Sequence, residues 1–247
     1  MKADPFAQLK LLDVQELDTR LDQLRHRLSN LPETQQLADL ARERTEVDGQ
    51  ARDAHILVDD LTRQQKKADA DVEQVRSRRT RDQDRMDRGL VTNPKDLERM
   101  QQELVALERR IAELEDAELE VMEQLEEAQG EQDRLDQRVV ELDERTAELT
   151  RARDEKAGGL TSEVEDVTRQ RSTAVGGMPE DLMALYERIR TQKGGVGAAL
   201  LRARRCGGCS LDLTAADLGA IAKAAPDEVV RCEECQRILV RTGESGL

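Results

Sequence analysis

The chain has 247 residues, with 39 Lys+Arg against 53 Asp+Glu, a formal net charge of −14, and only two aromatic residues, Phe6 and Tyr186. Aromatic side chains bury the largest areas in most cores, so a chain 37% hydrophobic, 37% charged and free of tryptophan cannot fill the interior of an ordinary compact enzyme of this length. Such a composition supports a narrow apolar seam instead, and its acidity excludes a general affinity of the whole surface for nucleic acid while leaving local basic patches open.

No stretch approaches the roughly 20 apolar residues of a membrane span, and residues 1–14 lack the apolar core of a signal peptide. A cytoplasmic protein with no membrane partner is expected. All four cysteines lie in the last 42 residues, and in a reducing compartment they are expected as metal ligands rather than as a disulfide framework.

In chain order, Leu17, Leu21, Leu24, Leu28 and Leu31 alternate spacings of four and three, the period of a coiled-coil seam. A first helix over about 5–29 is predicted, broken near 30–32 because Pro32 removes a backbone donor. From Leu37 the period resumes through Leu40, Val47, Ala51, Ala54, Val58, Leu61 and Val72. Gly89 can then close a helix in the left-handed conformation, Asn93 can cap the next, and Pro94 suits its first position, so a hairpin turn is predicted near 89–94. After it, a ladder from Leu97 to Leu149 has apolar residues at 13 of its 16 seam positions. At 1.5 Å per residue the outgoing arm is about 84 Å long and the returning seam about 80 Å, which matches an antiparallel pair within one chain. The oligomeric state stays open between monomer and dimer.

Gly158-Gly159 and Gly176-Gly177 are expected to punctuate the return. A short helix follows from Met178-Pro179-Glu180, with Leu182, Leu185, Tyr186 and Ile189 on one face and Tyr186 as a core anchor. Lys193-Gly194-Gly195-Val196-Gly197 lacks the strand-then-helix context of a phosphate loop and reads as a flexible linker. The predicted division is a coiled-coil hairpin over 1–176, a linking helix and linker over 177–201, and a metal module over 202–247.

That module carries two CxxC elements, Cys206-Gly207-Gly208-Cys209 and Cys232-Glu233-Glu234-Cys235. Four thiolates satisfy tetrahedral zinc, and two intervening residues let a tight turn aim both sulfurs at one ion. Iron or a redox dithiol pair are the alternatives. Gly207 and Gly208 are expected to supply the backbone angles of the first knuckle. Strands are predicted over 198–202, 211–213, 229–231 and 238–241, and a helix over 214–223 capped by Thr214. The fold class is therefore mainly α: a long antiparallel coiled-coil hairpin followed by a small α+β four-cysteine zinc ribbon. Four protein sulfurs leave no open coordination position, so one structural Zn²⁺ is expected. No nucleophile elbow is present, the carboxylates follow helix-face spacing, and His26 and His55 sit among helical charged neighbours. Neither catalysis nor a small-molecule substrate is expected.

Charge is unevenly placed: residues 95–149 carry 19 acids and 7 bases. Before the turn, by contrast, Arg76, Arg78, Arg79, Arg81, Arg85 and Arg88 outnumber Asp82, Asp84 and Asp87. A second group, Arg202, Arg204, Arg205 and Arg237, clusters around the knuckles. Both groups are candidate binding residues, against the reading that they are a solvated face and a scaffold.

The heptad hairpin, the turn Asn93-Pro94-Lys95-Asp96-Leu97-Glu98, the segment Tyr186-Glu187-Arg188-Ile189-Arg190, and the knuckles ending in Gln236-Arg237-Ile238-Leu239 together resemble the bacterial C4-type zinc-ribbon family with an N-terminal coiled-coil hairpin. The resemblance implies zinc on Cys206, Cys209, Cys232 and Cys235 and a role in binding rather than catalysis. Some members are linked to flagellar gene control through the nitrogen-type alternative sigma factor and messenger RNA. Ser210 and Gln236 stand where many zinc ribbons place glycine, with little expected effect on the turn. The function expected is a non-catalytic zinc-binding adaptor for a protein partner and a second macromolecule, in transcription or post-transcriptional regulation. Direct RNA or DNA binding through the arginine groups is the alternative, although the lack of aromatic stacking residues counts against single-strand recognition. Zinc removal is expected to unfold the tail and spare the rod.

Overall fold

A computed structural model describes residues 1–247. Helix α1 covers Pro5–Ser29 and α2 covers Pro32–Asp87. Asp4 caps α1, its carboxylate accepting from the backbone N–H of Phe6 at 2.8 Å and of Ala7 at 3.3 Å. The break at 30–32 is as expected: Asn30 leaves helical geometry and Pro32 opens the next helix. Helix α3 covers Pro94–Val175. Between α2 and α3 Gly89 takes φ +63°, and the Asn93 side chain accepts from the Lys95 N–H at 3.1 Å. Helix α4, Glu180–Gln192, leads to β1 (Ala198–Arg202) and β2 (Arg205–Cys206). Helix α5 (Ala215–Lys223) precedes β3 (Val230–Arg231) and β4 (Ile238–Val240).

The chain forms two compact units, Gln35–Thr150 and Met1–Thr34 with Arg151–Leu247. This grouping differs from a division at 176/177 and 201/202. Helix α1 and the end of α3 belong with α4 and the ribbon, because apolar positions on α1 beyond the leucine ladder find their partners there.

In the unit Gln35–Thr150, the seam is made as the heptads require. Leu40, Val47, Ala51 and Ala54 of α2 pack against Leu135 and Leu142 of α3, and Leu61 packs against Leu125 and Ala128. Ion pairs flank it, among them Arg44–Asp143 at 3.0 Å and Arg138–Glu43 at 2.6 Å. Exposed pairs of this kind are individually weak. One contact has the opposite sign: Glu118 is held above the ordinary carboxylate range by a hydrogen bond with Asp69, by loss of hydration and by Asp69's charge. A carboxyl raised in the folded state stabilises below its unfolded value of 4.5, and that contribution is lost as pH rises through the folded value. Glu118→Gln, a neutral donor to Asp69 at every pH, is therefore expected to melt above the wild type at pH 7 and level with it at pH 4. Thermal denaturation followed by circular dichroism checks both points, and an equal shift at the two pH values would remove the explanation.

The second unit has three cores. Leu21 and Leu24 of α1 pack on Leu160 and Val167 of α3. Leu11 and Val14 meet Leu182, Tyr186 and Ile189 of α4 together with Ala198, Ile238 and Val240 of the ribbon. Leu201, Leu213, Ile221 and Leu239 surround the cysteines. The ribbon sheet has the order β2-β1-β4-β3, with β1 and β4 parallel and the other pairs antiparallel. The first residues pair with the segment before β3, Ala3 donating to the Asp227 carbonyl at 2.7 Å and Val229 to that of Met1 at 3.1 Å.

Three local expectations are corrected. Gly158 and Gly159 do not interrupt α3, since each costs only about 1 kcal/mol in a helix whose neighbouring turns are held by the seam. Residues 193–197 are not a flexible linker: Gly197 is buried, and a Cβ there would lie 2.7 Å from the Tyr186 carbonyl oxygen and 2.8 Å from its ring. Residues 211–213 contribute only an isolated bridge, Asp212 to Arg205, because the segment must turn at once into α5. That helix starts as expected, with Thr214 and Asp217 forming a reciprocal capping box.

Candidate metal centre

Two matching turns build the centre. After the first cysteine pair, the Ser210 N–H donates to the Cys206 carbonyl at 2.8 Å; after the second, Gln236 donates to Cys232 at 2.8 Å. Both closing residues take positive φ, 60° at Ser210 and 64° at Gln236. The left-handed conformation therefore falls on these two positions and not on Gly207 and Gly208. Those glycines answer a different need, close approach: a Cβ on Gly207 would sit 2.9 Å from the Leu200 carbonyl oxygen, and one on Gly208 2.6 Å from Arg237 Cδ. A non-glycine residue in the left-handed region costs about 1–2 kcal/mol, and glycine returns about 0.5–1 kcal/mol of that through the unfolded chain. Ser210→Gly is accordingly expected to stabilise the ribbon by about 0.5–1 kcal/mol, read from its thermal midpoint. A destabilised variant would refute the strain argument.

All four sulfurs lie within 4.8 Å of one another, with Cys206 Sγ 3.8 Å from Cys235 Sγ and Cys209 Sγ 4.0 Å from Cys232 Sγ. A tetrahedron with Zn–S bonds of about 2.3 Å has edges of about 3.8 Å, so the cluster fits one ion with small adjustments of the longer separations. The separations are far beyond a disulfide bond. Backbone donors point at the sulfurs, the Gly208 N–H reaching Cys206 Sγ at 3.3 Å. As free thiols Cys206 and Cys235 differ. Burial pushes Cys206 up to about 12 against the N–H groups of Cys209 and Gly208. At Cys235 burial acts upward too, but the Arg237 N–H and hydrogen bonds from the other three thiols bring it down to about 7. Cys206, Cys209, Cys232 and Cys235 would hold zinc as a cross-link between the knuckles, with no ligand position left for a substrate.

The candidate binding arginines separate into engaged and unengaged groups. Arg76 pairs with Glu115 at 2.5 Å, Arg79 with Glu108 at 2.7 Å, and Arg78 with Glu103. Around the knuckles, Arg202 pairs with Glu244 at 3.1 Å, Arg205 with Asp212 at 2.9 Å, and Arg204 donates to the Gly246 carbonyl at 3.2 Å. Arg237 is scaffold: its three nitrogens donate to the carbonyls of Val196, Gly208 and Lys193 at 3.0, 2.9 and 2.7 Å. Arg81, Arg85 and Arg88 are exposed and make no ion pair.

Sequence reasoning missed a buried polar cluster beside the ribbon. Asp18, 2% exposed, accepts from Arg171 Nε at 2.5 Å and from the Tyr186 hydroxyl at 2.7 Å, and Arg190 Nε lies 3.5 Å away. Gln15 Oε1 accepts from the Gly197 N–H at 2.7 Å while Gln15 Nε2 donates to the Gly195 carbonyl at 2.9 Å. Tyr186 is the expected core anchor, and burial together with the hydrogen bond to Asp18 keeps its hydroxyl protonated. The available signal was spacing: Leu11, Gln15 and Asp18 share one helix face at i, i+4 and i+7.

A long antiparallel helical hairpin followed by a tetrathiolate ribbon defines the class. Residues 14–194 match the CT398-like coiled coil hairpin domain and residues 205–239 the C4-type zinc ribbon domain. The chain belongs to this hairpin family, with the zinc ribbon at its C-terminal end. It is 34% identical over 241 residues to the uncharacterized protein Rv2229c of Mycobacterium tuberculosis, covering 98% of each chain. A solved Mycobacterium smegmatis structure is similar with a TM-score of 0.80 and 36% identity, over 98% of this chain and 100% of the other. CT398 from Chlamydia trachomatis shares the fold at 19% identity and a TM-score of 0.65, over 94% of this chain and 96% of that one.

Proposed function

We propose that the chain is a non-catalytic adaptor of the cytoplasm, holding one structural zinc ion and joining a protein partner to a second macromolecule in transcription or post-transcriptional regulation. The observation that carries the binding role is the closed centre: four mutually close sulfurs on two rigid knuckles, with no ligand position for substrate. No helix is long and apolar enough to cross a membrane. The regulatory setting is supported by the family resemblance. A direct nucleic-acid role is weakened by the arginines, since seven of the ten candidates are already committed to carboxylates or carbonyls.

Affinity capture of the tagged full chain from its host lysate, with and without nuclease, beside Cys232→Ser/Cys235→Ser, tests the proposal. Proteins retained after nuclease treatment and lost selectively from the cysteine variant are expected. Recovery dominated by nuclease-sensitive RNA or DNA would replace the adaptor with a nucleic-acid reader.

A further inference from the structure

The two halves of the hairpin carry opposite stripes whose side chains form no ion pair within their own chain. Arg81 and Arg85 of α2 and Arg88, one residue past its end with its N–H still bonded to the Asp84 carbonyl at 3.1 Å, are spaced i, i+4 and i+7 and continue one face, exposed and without an ion pair. On α3, residues 111–130 contain eight acids and no base. Within that run Asp116, Glu120 and Glu123 repeat the same i, i+4, i+7 spacing, also exposed and unpaired, and Glu127 continues it. Large apolar side chains stand beside both stripes: Leu119 is 55% and Met122 41% exposed next to the acids, and Leu90 is 65% exposed beyond Arg88. Asp84 and Asp87 flank the arginines without forming ion pairs to them.

We propose that two copies of the chain associate antiparallel through their hairpins, with the Arg81, Arg85 and Arg88 stripe of each seated on the Asp116, Glu120 and Glu123 stripe of the other. This goes beyond the adaptor reading and stands on unit Gln35–Thr150 alone. A constant offset of 35 residues relates the two stripes, pairing 81 with 116, 85 with 120 and 88 with 123. When two hairpins are laid tip past tip, α2 of one runs in the same direction as α3 of the other, so a constant offset keeps all three pairs in register along parallel helices. Two-fold symmetry then makes every pair twice.

The offset sets the overlap at about 52 Å from the helical rise. A strip that long and one to two helix diameters wide gives about 500–1,000 Å² per partner, which brackets the roughly 800 Å² of a standard interface. Leu119 and Met122 supply the apolar component beside the charges. Nucleic acid is the weaker occupant for the same arginines: three bases neutralise about three phosphates, while residues 95–149 of the same rod repel them with 19 acids against 7 bases.

Sedimentation velocity of the nuclease-treated, zinc-loaded full chain, over a concentration series at low and high salt, tests the proposal. A reversible dimer that weakens with salt is expected. Arg85→Glu/Arg88→Glu and Glu120→Arg/Glu123→Arg should each raise its dissociation constant at least about tenfold by setting like charges together. An equimolar mixture of the two variants should restore it, because both sets of contacts in the mixed dimer again join opposite charges. Circular dichroism shows whether each variant keeps its helices, and Leu119→Asn, which changes no charge, should weaken the dimer as well. A wild type that stays monomeric at low salt, a dimer that both reversals leave intact, or a mixture that does not recover would overturn the proposal. Loss of single-stranded RNA binding in the arginine variant of a monomeric protein would assign the stripe to nucleic acid instead.

Discussion

Cys232→Ser with Cys235→Ser is expected to abolish zinc binding, to unfold residues 198–247, and to loosen α1 and α4 with them. The ribbon's own core is small, essentially Leu201, Leu213, Ile221 and Leu239 around the cysteines, and structural zinc sites supply about 10–16 kcal/mol of folding free energy in zinc-finger peptides. Without the ion that core cannot hold the ordering entropy of its loops. Strands β1 and β4 also supply Ala198, Ile238 and Val240 to the core shared with Leu11, Val14, Leu182 and Tyr186. Their departure exposes one side of α1 and α4. The unit Gln35–Thr150 contributes no residue to that core, so most of the helical signal should survive. Hydrogen exchange before and after chelation separates the outcomes: near-complete loss of protection over 198–247, a partial loss over 5–29 and 180–192, and none over 35–150. Unchanged protection in α1 and α4 would limit zinc to the tail, and one cooperative transition of the whole chain would contradict the two-unit division.

Asp18→Ala is expected to destabilise the unit Met1–Thr34 with Arg151–Leu247 by about 3 kcal/mol, the low end of the cost of breaking a buried ion pair, because Arg171 and Arg190 each keep a second, half-exposed carboxylate. Arg171 and Arg190 both turn to Asp18 and are themselves largely buried, with side chains 24% and 18% exposed. The hydrogen bond with Asp18, ahead of Glu187, holds the Arg171 guanidinium firmly charged. Removing the carboxylate takes the buried acceptor from the Tyr186 hydroxyl and from both guanidinium groups, leaving Arg171 only the half-exposed Glu187 and Arg190 only the half-exposed Asp22, at 2.6 Å. Tyr186→Phe, which deletes only the hydroxyl, should cost about 1–2 kcal/mol through the lost charged hydrogen bond. Chemical denaturation of the full chain, followed by circular dichroism or a probe in α4 because Tyr186→Phe removes the only tyrosine, checks the order of Asp18→Ala, Tyr186→Phe and wild type. Equal stability of all three would mean that the cluster is incidental to the packing.

The parts legible in the sequence are those set by short-range chemistry. The ends of α1, the break before Pro32, the turn from Gly89 to Pro94 and the capped α5 follow from individual residues acting on the neighbouring backbone. The pairing of cysteines within each knuckle follows from spacing, because two intervening residues let a tight turn aim both sulfurs at one ion. The antiparallel arms follow from heptad repeats of matching length on both sides of one turn, which the folding back of the chain buries against each other.

What depended on tertiary structure was the use made of side chains that the local pattern leaves undecided. Arg237 and Arg79 are alike in sequence as charged candidates. One is spent on three backbone carbonyls that the knuckle and the 193–197 turn bring within reach, the other on a glutamate 29 residues away. Gly158-Gly159 carries the local signature of a break and lies inside a continuous helix, while residues 193–197 read as a loose linker and are pinned by Gln15 and Tyr186. Asp18 has an ordinary helical setting and becomes the most buried acid only when α1, α3 and α4 converge on it. Periodicity records which face of a helix is apolar and says nothing of which distant segment covers it. The sequence by itself therefore determined the helix ends set by caps and prolines, the turn and the two cysteine pairs; the convergence of chain segments decided which arginines were engaged, where glycine was needed for space, and that the ribbon shares its core with the first helix.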